Sequence, residues 1–219
     1  NTSDVKRFFN STSLNYDFND DFSVTYRLGL DTYSELQEIL YNKGGATANL
    51  ATKNGYYRTI NINNTIWNQD LIVNWKKEFS DKFSMSALLG GNTRFDSYMQ
   101  TGVASQGQLA FGLFRHSNFS TSSSNDAYSG GSMNNGVDER RYGVYSNITF
   151  DYSDYLFLNL SARNDWTSTV EAENRSILYP GGSVSFIPTT AFDWKSSNLN
   201  DLKLRFGYGT SAGYPSPYT

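Results

Sequence analysis

Between positions 22 and 31 every second residue is apolar. Phe22, Val24, Tyr26, Leu28 and Leu30 alternate with Ser23, Thr25, Arg27, Gly29 and Asp31. A helix repeats its apolar positions every 3.6 residues, so this spacing fits an extended strand with one apolar and one polar face. The same alternation returns over 83–90, where Phe83, Met85, Ala87 and Leu89 share a parity. It returns again over 141–152 (Tyr142, Val144, Ile148, Phe150, Tyr152), 156–163 (Leu156, Leu158, Leu160, Ala162) and 202–209 (Leu202, Leu204, Phe206, Tyr208). Weaker strands are expected at about 8–18, 59–76 and 177–187. The chain therefore reads as all-β, an antiparallel meander of about eight strands. Residues 34–41 have some helical character, but eight residues between strands fit a loop better.

The connections alternate in length. Short ones fall at 19–21, 80–82 and 153–154, with a slightly longer one around 193–200. Long segments lie between them, at about 33–57, 93–138 and 164–176. Short periplasmic turns at one end and long extracellular loops at the other are the layout of an outer-membrane β-barrel. No run of about 18 apolar residues exists for a membrane-spanning helix, and a barrel needs none. A soluble β-sandwich would alternate in the same way, but two features favour a barrel. Aromatic residues, 16% of the chain, flank every short turn: Tyr16, Phe18 and Phe22; Trp75, Phe79 and Phe83; Phe150, Tyr152 and Tyr155; Phe192 and Trp194. Rings gathered at one end of successive hairpins suit a membrane–water interface. The polar parity carries Ser, Thr, Gly and Asn rather than the bulky residues that fill a narrow eight-stranded barrel. The expected architecture is an arc of a large transmembrane β-barrel.

Several chemistries are excluded. With no cysteine and a single histidine, His116, the chain has no disulfide, no thiolate and no multi-histidine metal centre. A net charge of −3 argues against a nucleic-acid partner. The run Asp17-Phe18-Asn19-Asp20-Asp21 opens like a calcium loop, but Phe22 occupies the position that needs glycine, and the run sits at a hairpin turn. Gly207-Tyr208-Gly209 falls inside a strand instead of opening a helix, so it is no dinucleotide fingerprint. His116 lies in the longest loop without a nucleophile motif beside it. The triplets at 147–149 and 159–161 match a glycosylation acceptor but sit in strands. No catalytic residue, metal or cofactor is expected.

What remains is binding. Arg163 and Asp165 share the polar parity, as do Arg27 and Asp31; they hydrate and cross-link the polar face and can guide solute. Tyr56, Tyr57, Phe95, Tyr98, Phe111, Phe114, Phe119 and Trp166 lie in or beside the expected loops, where rings either stack on a sugar or peptide or pack the loops together. The candidate substrate-binding set is Tyr98, Phe114, Trp166, Arg163 and Asp165.

Four segments resemble the barrel of SusC/RagA-type TonB-dependent transporters. Residues 152–169, containing Ala162-Arg163-Asn164-Asp165-Trp166-Thr167-Ser168, resemble that family's hairpin and "R-x-D-x-S-S" element. Asn174-Arg175-Ser176 with Tyr179-Pro180-Gly181-Gly182-Ser183-Val184-Ser185 resembles its "N-R…Y-P-S-V-S" strand. Lys203-Leu204-Arg205-Phe206-Gly207-Tyr208-Gly209, continuing to Gly213, resembles "L-K-L-R-x-x-Y-G-x-x-G". Residues 107–118 resemble a loop element ending "F-x-x-S-N". These elements keep the family's order and cover about half of the chain. Thr167-Ser168 stands where the family has Ser-Ser, and Gly181-Gly182 interrupts its Pro-Ser-Val.

The resemblance implies residues 1–219 are a partial TonB-dependent receptor β-barrel domain, without the plug and final strands. It also implies an outer-membrane location, and active import of an oligosaccharide or peptide. A SusD-like surface lipoprotein would cap the barrel, TonB would supply energy through the plug, and lipid would surround the strands. The alternative is a non-transporting outer-membrane barrel or surface adhesin using the same loops for attachment.

Overall fold

The computed structural model describes residues 1–45, 53–126, 130–194, 200–211 and 213. Its strands are β1 (Thr2–Asn19), β2 (Phe22–Tyr41), β3 (Tyr56–Ser80), β4 (Phe83–Gln108), β5 (Phe119–Ser123), β6 (Asn135–Tyr152), β7 (Leu156–Thr167), β8 (Ser176–Phe186) and β9 (Leu204–Gly209). They form one antiparallel sheet in the order β1-β2-β3-β4-β6-β7-β8-β9, with β5 paired to the end of β4. Helical structure is slight: 3-10 turns at His116–Asn118 and Ala172–Asn174, and a short α-helix, α1, at Pro188–Ala191.

Local chemistry explains the short turns. Asp20-Asp21 and Asp81-Lys82 are two-residue hairpin loops. The first is held by Asn19, whose Oδ1 accepts the Asp21 N–H at 2.9 Å. At the third turn Ser153 (φ 52°) and Asp154 (φ 61°) both adopt the left-handed conformation. The Asp151 carboxylate steadies it by accepting the Asp154 N–H at 3.0 Å.

The strands run further than the alternation indicates. Residues 34–41 belong to β2 and are not a loop. The span 93–138, read as a connection, contains the end of β4, all of β5 and the start of β6. The connection after β7 shrinks to 168–175.

The register fixes the two faces. One cross-strand row is Phe150, Leu158, Val184 and Phe206; the next, on the opposite face, is Thr149, Asn159, Ser183 and Gly207. Leu156, Leu158, Leu160, Leu204 and Phe206 are 37–77% exposed. No second sheet covers them among the described residues, which removes the sandwich.

The chain divides into two compact units. The first comprises residues 1–10, 30–67 and 95–138. It holds the buried apolar core, Tyr56, Tyr57, Ile60, Ile62, Ala104, Phe119 and Met133. The connection between β4 and β6 creates this core by clasping the sheet from both sides. Met133 packs with Tyr56, Ile60, Ile62 and Ala104 on one face. A Cβ at Gly102 would lie 2.7 Å from that of Met133, so the close seat requires glycine. On the other face Phe114, His116 and Phe119 set their rings 5.9, 4.5 and 6.1 Å from Tyr57.

The second unit comprises residues 11–29, 68–94 and 139–219. Its strands form a single layer whose apolar face remains open. Near the short turns the rings touch in sequence: Trp75–Phe79 at 6.4 Å, Phe79–Phe83 at 5.6 Å and Phe83–Phe150 at 6.3 Å.

Candidate solute-contact site on the polar face

Arg163 and Asp165 stand two residues apart on β7 and so share a face. They form a two-pronged ion pair, Nε to Oδ2 at 2.9 Å and Nη2 to Oδ1 at 2.8 Å. The register sets Arg163 between Tyr145 of β6 and Tyr179 of β8. Its guanidinium lies over the Tyr145 ring, 5.3 Å from the centroid, a cation–π arrangement.

Two glycines make room for this cluster. Asp165 faces Gly143 across the ladder, and a Cβ there would strike the Asp165 carboxylate and come within 2.9 Å of Arg163 Nη2. A Cβ at Gly90 would run into the Tyr145 ring. Alongside, Asn92 Nδ2 donates to Asp70 Oδ1 at 2.8 Å and to Asn68 Oδ1 at 3.2 Å. Arg141 pairs with Glu139 at 2.6 Å. Asn92, Arg94, Arg141, Arg163, Asp165 and Tyr179 border an open cavity of about 270 Å³. It offers donors and acceptors of both signs beside phenol rings. That equipment suits reversible hydrogen bonding to amides, carboxylates or hydroxyls.

The other candidates do not join this cluster. Tyr98 belongs to the first unit, where it packs against the Met133 core on the polar face and donates to Gln100 Oε1 at 2.7 Å. Phe114 lies against Tyr57, on the face opposite Tyr56. Trp166 shares the parity of Leu156, Leu158 and Leu160, so it stands on the apolar face, stacked on Tyr142 at 5.0 Å with 11° between planes. Phe114 and Trp166 therefore lie apart from the Arg163–Asp165 cluster, Trp166 because a one-residue step along β7 reverses the side chain's face. Tyr145 and Tyr179 were missed although the alternation carries them. Gly90 and Gly143 become visible only once the strands are paired.

His116 is a clip in the first unit. Its Nε2 shares a hydrogen bond with Thr59 Oγ1 at 2.9 Å and its Nδ1 one with Ser105 Oγ at 2.8 Å. Ser105 is fully buried and also bonds Ser122 at 2.7 Å. Burial holds the imidazole below its ordinary pKa. Beneath it Tyr57 donates to Glu38 at 2.7 Å. Burial first, then that carboxylate, push the phenol up to about 12. The acidic turn at 17–21 instead pairs Asp21 with Lys77 at 2.6 Å. Among the described residues no cluster of His, Asp and Glu could hold a metal.

A single antiparallel meander, polar on one face and in its second unit apolar and uncovered on the other, is an arc of a large β-barrel. Among solved structures this arc is similar to chains of the RagAB peptide transporter. One matches with a TM-score of 0.77 and 19% identity over 93% of this chain. The RagAB peptide importer in its "closed-closed" state matches at 0.76 with 16% identity over 94%, and in its "open-open" state at 0.77 with 19% over 93%. The chain spans 22–23% of the length of those proteins. No protein-family model matches the sequence, and no curated protein does. At these identities the likeness establishes the fold, the one implied by the SusC/RagA resemblance.

Proposed function

We propose that this chain is a barrel segment of an outer-membrane, TonB-dependent importer of the SusC/RagA kind, and that its solute is peptide rather than oligosaccharide. The observation that carries the reading is the sheet's asymmetry. An apolar face left open over Leu156, Leu158 and Leu160 needs lipid, while the face behind it carries paired charges that need water or solute. The peptide preference rests on the chemistry around Arg163. A guanidinium–carboxylate fork beside Arg94 and Arg141 complements peptide termini and amides, which present both signs of charge. Neutral sugars need planar rings with neutral donors instead. The neighbours in fold are peptide transporters, which supports the same choice. Arg163, Asp165 and Tyr98 are then solute-contact residues of the lumen. A SusD-like lipoprotein lid and TonB complete the machine, which performs capture and release without covalent chemistry.

The test is uptake by cells expressing the intact protein that carries this chain, with and without functional TonB. Labelled short peptides should accumulate only with TonB, and labelled oligosaccharides should not. TonB-independent attachment of cells to surfaces, with no uptake of either solute, would identify an adhesin instead.

A further inference from the structure

Two carboxylates of the first unit hold an arginine: Asp31 that of Arg7 and Asp126 that of Arg58. Glu35 is arranged differently. Ser3 Oγ donates to its Oε1 at 2.7 Å, and Gln37 Nε2 donates to the same oxygen at 2.9 Å. Among the described residues no lysine or arginine pairs with Glu35, and its Oε2 accepts no hydrogen bond. Neutral donors therefore fix this carboxylate through one oxygen and leave its charge without a counter-ion.

Two phenol rings stand beside it. Tyr33 precedes Glu35 by two residues on β2, so both share the face of Asp31. Tyr33 and Tyr98 are half-buried, packed against the core of Tyr56, Ile60, Ile62, Ala104 and Met133. Tyr33 and Glu35 lie close enough to the Tyr98 phenol to act on it electrostatically. The Tyr98 hydroxyl donates to Gln100 Oε1 at 2.7 Å, and Gln100 Nε2 donates to the Met133 carbonyl at 3.0 Å, which steadies the ring. The Tyr33 hydroxyl makes no hydrogen bond among the described residues. These groups share one sign. A carboxylate oxygen, phenol oxygens and aromatic rings attract a cation and disfavour an anion. A metal ion needs several oxygen ligands, whereas one carboxylate among rings suits an ammonium group with its three N–H donors.

We propose that Glu35, Tyr33 and Tyr98 form a seat for a primary ammonium group, the amino end of a peptide solute. Its N–H groups meet Glu35 Oε2 and the Tyr33 oxygen, with the rings beside the charge. The seat rests on the peptide-import reading given above and adds which end of the solute is recognised. A lysine side chain carries the same group, and the test separates the two sources.

The probe is pentaalanine with a carboxyl-terminal fluorophore. It is titrated with the intact protein in detergent micelles at about pH 6.5, where the amino end is charged. Fluorescence anisotropy should show binding that weakens about fivefold when the amino end is acetylated. Glu35→Gln, which keeps the size and the bonded oxygen, should lose as much affinity and no longer distinguish the acetylated probe. An acetylated probe with a central lysine reports the second source. Binding regained by the parent but not by Glu35→Gln shows that a side-chain ammonium also fits, and no regain restricts the seat to the amino end. If acetylation changes nothing, or weakens parent and variant equally, the seat is wrong and peptide binding stands. If pentaalanine binds the parent in neither form, the peptide reading falls and the seat with it.

Discussion

Arg58 Nη1 lies 2.7 Å from Asp126 Oδ2, and the Tyr56 hydroxyl donates to the other oxygen of that carboxylate at 3.0 Å. Both side chains of the ion pair are mostly buried. This joins the start of β3 to the far half of the β4–β6 connection. Removing the carboxylate strands a buried guanidinium, so Asp126→Ala should destabilise this attachment by about 2 kcal/mol. Tyr56→Phe, losing one neutral donor, should cost about 1 kcal/mol. Hydrogen exchange of the amides at 124–126 and 130–134 reads the loss. Unchanged protection in Asp126→Ala would remove the ion pair as the anchor.

The other half of the clasp responds to acid. The His116 pKa is depressed by burial, so the clasped imidazole resists a proton that the released one accepts near 6.5. The released state binds more protons below that value. Attachment is therefore full above it and weakens as the pH falls through it. Protection at 109–118, measured against the intrinsic exchange rate at each pH, should fall between pH 7 and pH 5, and His116→Gln should flatten that dependence. An equal loss of protection in the variant would assign it to other groups.

The glycines on the polar face give a third expectation. Gly143→Ala drives a methyl into the Asp165 carboxylate and Gly90→Ala drives one into the Tyr145 ring. Each should lower stability by about 1–3 kcal/mol through overpacking. Gly91→Ala, with open space at its Cβ, is the silent control. Thermal unfolding of the inserted protein, followed by heat-modifiable gel migration, ranks the three variants. A Gly91→Ala as damaging as the other two would contradict the assigned register.

The two faces of β7 should tolerate charge differently. Leu158→Arg places a cation on the apolar face and should cost about 2–4 kcal/mol near the middle of a bilayer. Ser161→Arg, on the polar face, should insert almost as the parent does. Equal insertion of both in vesicles would mean that Leu158 does not meet lipid.

Where one face was bare, the sequence was easy to read. Alternation located β2, β7 and β9 because Leu28, Leu158 and Phe206 meet one environment while Arg27, Asn159 and Arg205 meet another. It faded wherever the connection covers both sides. Tyr56 and Tyr57 are consecutive and both buried, as are Ala104 and Ser105, so no period of two survives and these strand ends resembled loop. Of the site, Arg163 and Asp165 were legible from parity. Trp166 and Phe114 stand apart from that cluster, and nearness to a loop does not reveal which face a residue occupies. Gly90 and Gly143 act through partners on other strands, and no local pattern announces that.

Asn118 accepts the Ala110 N–H at 3.0 Å through Oδ1, and its Nδ2 donates to the carbonyls of Ala110 and Leu113, each at 2.8 Å. The short arch over 110–113 is thus held through its backbone, with the Gly112 N–H also donating to Asn42 Oδ1 at 2.9 Å. Phe111 and Leu113 point away from that frame, exposed, and contribute little to holding it. Such an arch separates shape from content. Mutation can rewrite its outward residues, as it does in hypervariable loops, while the scaffold beneath stays the same. Phe111 and Leu113 are therefore positions where substitution leaves the arch's shape unchanged, whereas Gly112, at φ 77°, is held to glycine by the turn itself.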